Sequence, residues 1–237
     1  MPGDSAELSV PVERVAAPLR DQVLDGLRQA IVEQRLPPGQ RLIERELVEQ
    51  IGVSRTTIRE VLRQLTAEGL VTTIPQKGAV VAAPSPEEAA DLYEVRAALE
   101  GLAARKFVER ASDDQVRALR AAFVEVERVT HDGGDIRSML QAKDRFYDVL
   151  LDGAGNGAIS GILGRLQARV SLLRATSLSQ AGRPARSVAE IGTLVAAIEA
   201  RDADAAVQAA ATHLEHAAST GLGALADVRV GSPAAAR

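Results

Sequence analysis

The sequence predicts a mainly α-helical chain in two parts: three helices closed by a small β-hairpin, then an all-helical antiparallel bundle. Three observations carry this expectation. Aromatic residues make up 2% of the 237 residues and Trp is absent, so the core is built from Leu, Val, Ile and Ala, which favours helices over a β-sandwich. Apolar residues recur at helical spacing through most of the chain. The composition also changes near residue 84, where Ala83-Pro84-Ser85-Pro86 reads as a short stiff linker feeding a helix start.

Composition removes several function classes. With 46% hydrophobic and 25% charged residues the chain has a globular rather than a disordered balance. The absence of Cys excludes disulfides, thiolate zinc sites and Cys nucleophiles. Three His (His131, His213 and His216) make an imidazole-rich metal site hard to build. No stretch approaches the roughly 18 to 20 apolar residues that span a bilayer. The polar start MPGDSAELS lacks the form of a secretory leader, so a cytoplasmic protein without a membrane partner is expected. A net charge of -4 argues against a bulk electrostatic nucleic-acid binder, but leaves room for a small basic head on an acidic body. Only three of the 28 basic residues are Lys (Lys77, Lys106 and Lys143), so a Lys at a special position carries more information than an Arg.

The first helix is expected over Leu19 to Leu36, with Val23, Leu24, Leu27, Ala30 and Ile31 on one face and Pro37-Pro38-Gly39 as its stop. A short helix follows from Glu44 to Ile51, with Leu47 and Ile51 inward and Gly52 as a left-handed close. Ser54 caps a third helix reaching about Glu68, with Ile58, Val61, Leu62 and Leu65 apolar. Val71, Thr73, Ala79 and Val81 mark two short strands around Pro75-Gln76-Lys77-Gly78. Three helices and such a hairpin make a winged helix-turn-helix.

Beyond the linker, Ser85 caps a helix with Pro86 in its first turn, and Ser112 with Gln115 forms a capping box. Asp135 caps a helix to about Leu151, Gly153 to Gly157 reads as a turn, and a long helix runs from about Ala158 to Leu178. Gly182-Arg183-Pro184 breaks the chain, Ser187 with Glu190 reads as another capping box, and the last helix covers about Ala203 to Leu225. Helices joined by short loops predict an antiparallel bundle.

The third helix carries the chemistry. Arg55, Arg59 and Arg63 recur every four residues and drift slowly along one face, opposite the apolar one. Its first turn offers Ser54, Arg55, Thr56 and Thr57: short hydroxyls, free backbone N–H groups and a long donor. That set suits a recognition helix entering the DNA major groove by its N-terminus. Arg can bond guanine O6 and N7 together, worth about 1–3 kcal/mol of discrimination, while hydroxyls and amides fix phosphates. Lys77 and Gly78 at the hairpin tip could approach a phosphate or the minor groove. The competing reading is an amphipathic helix with a solvated basic face.

This stretch resembles the GntR family of bacterial regulators over roughly residues 17 to 82. The shared features are Pro37-Pro38-Gly39, Gly52-Val53-Ser54-Arg55, Arg59-Glu60, Leu62, Leu65 and Gly69-Leu70. The resemblance implies that Arg45, Arg55, Thr56, Thr57 and Arg59 touch DNA in the major groove or on the backbone, with Lys77 and Gly78 as the wing contact. Residues 86 to 225 resemble the helical FCD ligand domain of the FadR-like subgroup, through Asp91 to Glu100, Phe146-Tyr147, Gly155-Asn156, Ala197 to Asp202 and His213-Leu214. The organisation expected is a tail (1–16), the winged helix-turn-helix (17–83), an effector-binding and dimerisation domain (84–226) and a flexible tail (227–237).

Many relatives hold a divalent metal inside the bundle. At the corresponding positions this chain has Lys143, Tyr147, Ile191 and His213, so the resemblance implies no metal and no cofactor. Lys143 and Tyr147 share a helix face at i, i+4. A fixed Lys charge could hold a carboxylate or phosphate, with Tyr147 and His213 as hydrogen-bond partners and Arg169 and Arg174 as further anion-binding candidates. The competing reading turns Lys143 to solvent and leaves Tyr147 in the core. Glu190 is read as a cap ahead of polar lining, Arg96 and Glu100 as a surface pair ahead of an interior one, and His131 as surface. The expected function is a homodimeric regulator, with repression favoured, that binds a palindromic double-stranded operator and answers a small anionic effector. A metal-dependent sensor and an architectural DNA binder without effector are the alternatives within DNA binding. An enzyme is disfavoured, because no nucleophile–base pattern and no phosphate loop is present.

Overall fold

The computed structural model describes residues 17–230; the expected tail 1–16 and residues 231–237 lie outside them. The fold is mostly helical with one two-stranded sheet. The order is α1 (Ala17–Val32), α2 (Glu44–Ile51), α3 (Arg55–Ala67), β1 (Val71–Ile74), β2 (Gly78–Val81), α4 (Pro86–Arg110), α5 (Asp113–His131), α6 (Ile136–Ala154), α7 (Gly157–Leu178), α8 (Arg183–Glu199) and α9 (Ala203–Val230).

In the N-terminal head, α1 ends four residues before its expected limit. Gln34 turns left-handed at φ 60° and the Leu36 N–H reaches back to the Ala30 carbonyl at 3.0 Å, closing the last turn. Gly52 at φ 76° separates α2 from α3, whose cap Ser54 accepts from the Thr57 N–H. The apolar face expected for α3 (Ile58, Val61, Leu62 and Leu65) is buried. Ile51, expected inward, is instead 36% exposed at the rim of a shallow groove between α1 and α2. The strands pair antiparallel, Val71 opposite Val81 and Ile74 opposite Gly78. Residues 39–42 add an edge that the sequence reading did not foresee: the Leu42 N–H bonds the Ala79 carbonyl at 2.8 Å, and Arg41 bridges Val80.

Capping chemistry sets the boundaries of the bundle helices. Ser85 with Glu88 and Ser112 with Gln115 form complete capping boxes, and Asp135 caps α6 through the Ser138 N–H. Two expectations need correction. Gly153 is helical, not a turn residue; α6 runs on to Ala154 because Gly153 lets the helix close on the Phe107 ring, and the turn is confined to Gly155 and Asn156. Helix α8 begins at Arg183, four residues before Ser187, with left-handed Gly182 as N-cap and Pro184 in its first turn. Ser187 and Glu190 therefore form no capping box. Helix α9 continues past Leu225 to Val230.

The main bundle core gathers Phe107, Phe123, Phe146, Leu150, Ile191 and Ile198 from α4, α5, α6 and α8. The core of the head is not closed by its own residues: Ala168 and Leu172 of α7 join Leu24, Ile58, Leu65 and Val71. Val32 at the end of α1 packs in turn with Leu140, Ala175 and Leu178. Helix α7 thus packs into the head as well as the bundle. At Gly153 a Cβ would overlap the fully buried Phe107 ring. Helix propensity alone would make Gly153→Ala stabilising by about 1 kcal/mol. Overpacking is expected to win, for a net loss of about 1–3 kcal/mol, read as a lower midpoint in chemical denaturation.

Candidate nucleic-acid interface and buried polar site

The head presents one polar surface around the start of α3. Ser54, Arg55, Thr56 and Arg59 are exposed and Thr57 is half-buried. The Thr57 hydroxyl lies 2.9 Å from Ser54 Oγ, so it is already part of the cap. Glu44, at the start of α2, binds both arginines: its carboxylate accepts from Arg55 Nε at 3.1 Å and from Arg59 Nε at 3.0 Å. Burial works to raise the Glu44 pKa, but the two guanidiniums outweigh it and hold the group below the usual carboxylate range. Arg45 lies on the same helix, exposed, 3.8 Å from Glu49. Lys77 is exposed on the hairpin tip beside Gly78, whose φ of 79° is left-handed. The helix start, the two arginines and the wing tip supply donors and cations suited to a polyanion.

The second site is inside the bundle. Arg96, Glu100, Lys143, Arg174, Ser177, Arg183, Ser187 and His213 are all buried, contributed by α4, α6, α7, α8 and α9. Arg96 Nε bonds Glu100 at 2.9 Å with both side chains enclosed, which corrects the surface pair expected from i, i+4 spacing. Lys143 Nζ donates to Ser187 Oγ, so its solvent-facing alternative is excluded. Arg174 bonds Asp144 at 2.8 Å and stacks on the Tyr147 ring, 4.0 Å from its centroid. Glu190, expected to be a cap, instead accepts from Arg183 at 2.8 Å, from His213 Nδ1 at 2.7 Å and from His216 Nδ1 at 2.8 Å.

Three guanidiniums (Arg96, Arg174 and Arg183) and the Lys143 amino group thus stand among three carboxylates (Glu100, Asp144 and Glu190). Donors outnumber acceptors. Among the described residues, Arg96 Nη1, Arg174 Nε, Arg183 Nε and Nη1 and the Ser177 hydroxyl are buried without a partner. Unpaired buried donors cost roughly 1–3 kcal/mol each, and more when charged. Most of these groups line a cavity of about 10 Å³, room for a single water. Burial, then the charges of Arg174, Arg183 and Arg96, push the Lys143 pKa well below its ordinary value. Burial also lowers His213 to about 4, against the pull of Glu190.

The structure brings together four of the five effector candidates: Lys143, Tyr147, Arg174 and His213 share this cluster. Arg169 is not among them; it lies against Gly69 of the head. Arg96, Ser177, Arg183 and Ser187 were missed. The available signal was a charged residue on an inward stripe: Arg96 falls between Leu92, Tyr93 and Ala103, which are buried on the same helix. The positions equivalent to the relatives' metal ligands do not fit a divalent cation. Lys143 Nζ is taken up by Ser187, Ile191 has no donor and is fully buried, and His213 by itself falls short of the three or more good ligands such a site needs.

This combination of head and bundle defines a helix-turn-helix transcription regulator, and comparison with known proteins agrees. The family model for bacterial regulatory proteins of the gntR family matches residues 19–81, and that for the FCD domain matches residues 91–216. A helix-turn-helix regulator of Agrobacterium vitis is 33% identical over 127 residues, covering 53% of this chain and 74% of that protein. The transcriptional repressor RspR of Escherichia coli is 25% identical over 198 residues, 84% of this chain and 86% of the repressor. The crystal structure of a GntR regulator from Rhodococcus sp. RHA1 superposes with a TM-score of 0.74 at 23% identity, covering 86% of this chain and 97% of that one. The chain belongs to the GntR family of DNA-binding regulators, in the FadR-like subgroup with an FCD domain.

The Glu190 network sets a pH dependence. Glu190 is held down at about 2; its burial opposes this, and the bonds from His213 and Arg183 override it. His213 and Glu190 are both depressed in the folded state, so the unfolded chain binds more protons in acid. Stability is expected to fall as pH drops from about 6.5 towards 4 through His213, and from about 4.5 towards 2 through Glu190. Thermal melts of the wild type and of His213→Asn across this range check it: the variant removes the upper part of the fall.

Proposed function

We propose that this chain is a cytoplasmic homodimeric repressor, not an enzyme, whose two heads read a palindromic operator and release it when a small carboxylate or phosphate enters the buried polar site. Residues 17–83 form the reading head and residues 84–226 the effector and dimer unit. The observation that carries this reading is the group of buried guanidinium donors without acceptors, around Lys143. Buried charge is tolerated where it is paired. An anion with two or three oxygens would pair Arg96, Arg174 and Arg183 together and favour the charged form of Lys143. Repression is the direction indicated by named relatives such as RspR.

On the DNA side, Ser54, Arg55, Thr56, Thr57 and Arg59 occupy the start of α3, with Arg45 and the wing residues Lys77 and Gly78 as flanking contacts. Half-sites about one helical turn apart, or a multiple of that, would match a two-fold dimer. The one-water cavity is too small for an organic anion, so an effector selects an arrangement in which α4, α7 and α8 stand further apart. Helix α7 also supplies Ala168 and Leu172 to the head core, so such a shift reaches the head directly.

Two expectations test this with inverted-repeat duplexes in fluorescence anisotropy. Arg55→Ala or Arg59→Ala weakens operator binding by about 1–3 kcal/mol and relaxes base preference, whereas Lys77→Ala lowers the salt slope by about one. A panel of phosphate, citrate and malonate contains at least one anion that releases operator from the wild type and not from Lys143→Met. Equal affinity for operator and random duplex would refute the first reading. Release that is unchanged in Lys143→Met would refute the second.

A further inference from the structure

Arg169 is the effector candidate that the buried site does not absorb. It projects from α7 beneath the head. Its side chain lies so close to Gly69 that a Cβ there would be 3.1 Å from Arg169 Cδ, and Gly69 itself is left-handed at φ 74°. Its guanidinium makes no hydrogen bond or ion pair among the described residues, although the side chain is half-buried. It opens on a cavity of about 430 Å³ between the wing, the linker and helices α4 and α7. That volume falls within the range of small-molecule pockets. The walls are mixed: Val71 from the hairpin, Leu92 from α4 and Leu172 and Leu173 from α7 back the cavity but are buried, and polar groups, including those of Thr66, Thr72, Glu88 and Arg169, present the larger share of its surface.

We propose that this joint cavity is a second ligand site, for a small monocarboxylate held by Arg169. The charge count selects the class. Arg169 is one cation. Glu88, the other charged residue of the lining, is a carboxylate fixed in the capping box by the Ser85 N–H at 2.9 Å. One negative group can pair with Arg169, and a second would meet Glu88. Thr66, Gly69 and Val71 belong to the head, whereas Leu92 and Arg169 belong to the bundle, so an occupant touches both halves. It would stiffen the seat of the head independently of the buried polar site.

Calorimetric titration of the full chain near neutral pH tests the proposal, with benzoate and with the dianion phthalate as probes. Benzoate is expected to bind saturably with a Kd near or below about 1 mM, and phthalate about tenfold or more weaker. Arg169→Gln weakens benzoate by about tenfold or more, whereas Lys143→Met leaves benzoate binding as it is. Glu88→Gln keeps the capping geometry and removes the charge, so it should bring phthalate close to benzoate even if the Arg169 variant does not fold. Absence of saturable benzoate binding up to about 10 mM would overturn the site. Benzoate binding that survives Arg169→Gln but is lost in Lys143→Met would overturn it too, by assigning the probe to the buried polar site. Undiminished discrimination against phthalate in Glu88→Gln would overturn the charge argument.

Discussion

The organisation of this molecule rests on the burial of α7 from more than one side. A surface helix needs only one apolar stripe; α7 has apolar residues around most of its circumference. Ala168 and Leu172 complete the core of the head. Val170 and Leu173 pack with Leu92, Tyr93 and Ala217 from α4 and α9. Ala175 and Leu178 meet Val32 and Leu140 from α1 and α6. The reading head therefore does not ride on a loose tether alone. It is seated on a helix that also carries Arg174 into the polar interior, and the ion pair of Arg137 with Glu33 at 3.4 Å adds a link between α6 and the end of α1.

The same helix explains why so much charge can be kept out of water. A buried ion pair seldom stabilises relative to an apolar replacement, but removing one partner is costly. Here each carboxylate is paired. Glu100 serves Arg96, Asp144 serves Arg174, and Glu190 serves Arg183 and two imidazoles. Asp144 is only partly enclosed, so Arg174 links the interior to the surface. Burial works against ionisation of Glu100, yet the charge of Arg96 keeps its pKa below normal. The remaining imbalance lies on the donor side, around a space with room for one water.

Most of the architecture was legible because local rules and tertiary structure agree. Ser54, Ser85, Ser112 and Asp135 cap where their side chains can reach the third N–H beyond, and Gly52 and Gly155 end helices with left-handed φ. The failures have physical causes. Ser187 and Glu190 satisfy the capping-box pattern, yet Gly182 and Pro184 start the helix one turn earlier and leave both residues for inward use. Arg96 and Glu100 satisfy the pattern of a surface pair, but the neighbours of Arg96 on α4 are the buried Leu92 and Tyr93, and that face has no solvent side. Spacing specifies which residues share a face, not what stands opposite. The cluster is assembled from residues 93 to 217, and no window of sequence contains it.

The narrowness of that interior space would also set the timing of the proposed effector response. Nothing larger than a water fits until helices separate. Entry of an organic anion would then be paced by a collective helix displacement, typically a microsecond-to-millisecond event. Raising the concentration of the anion would change how many molecules are caught open, and beyond saturation would no longer hasten the response. Under the proposed mechanism, release of the operator would lag the arrival of the anion by the time that displacement takes.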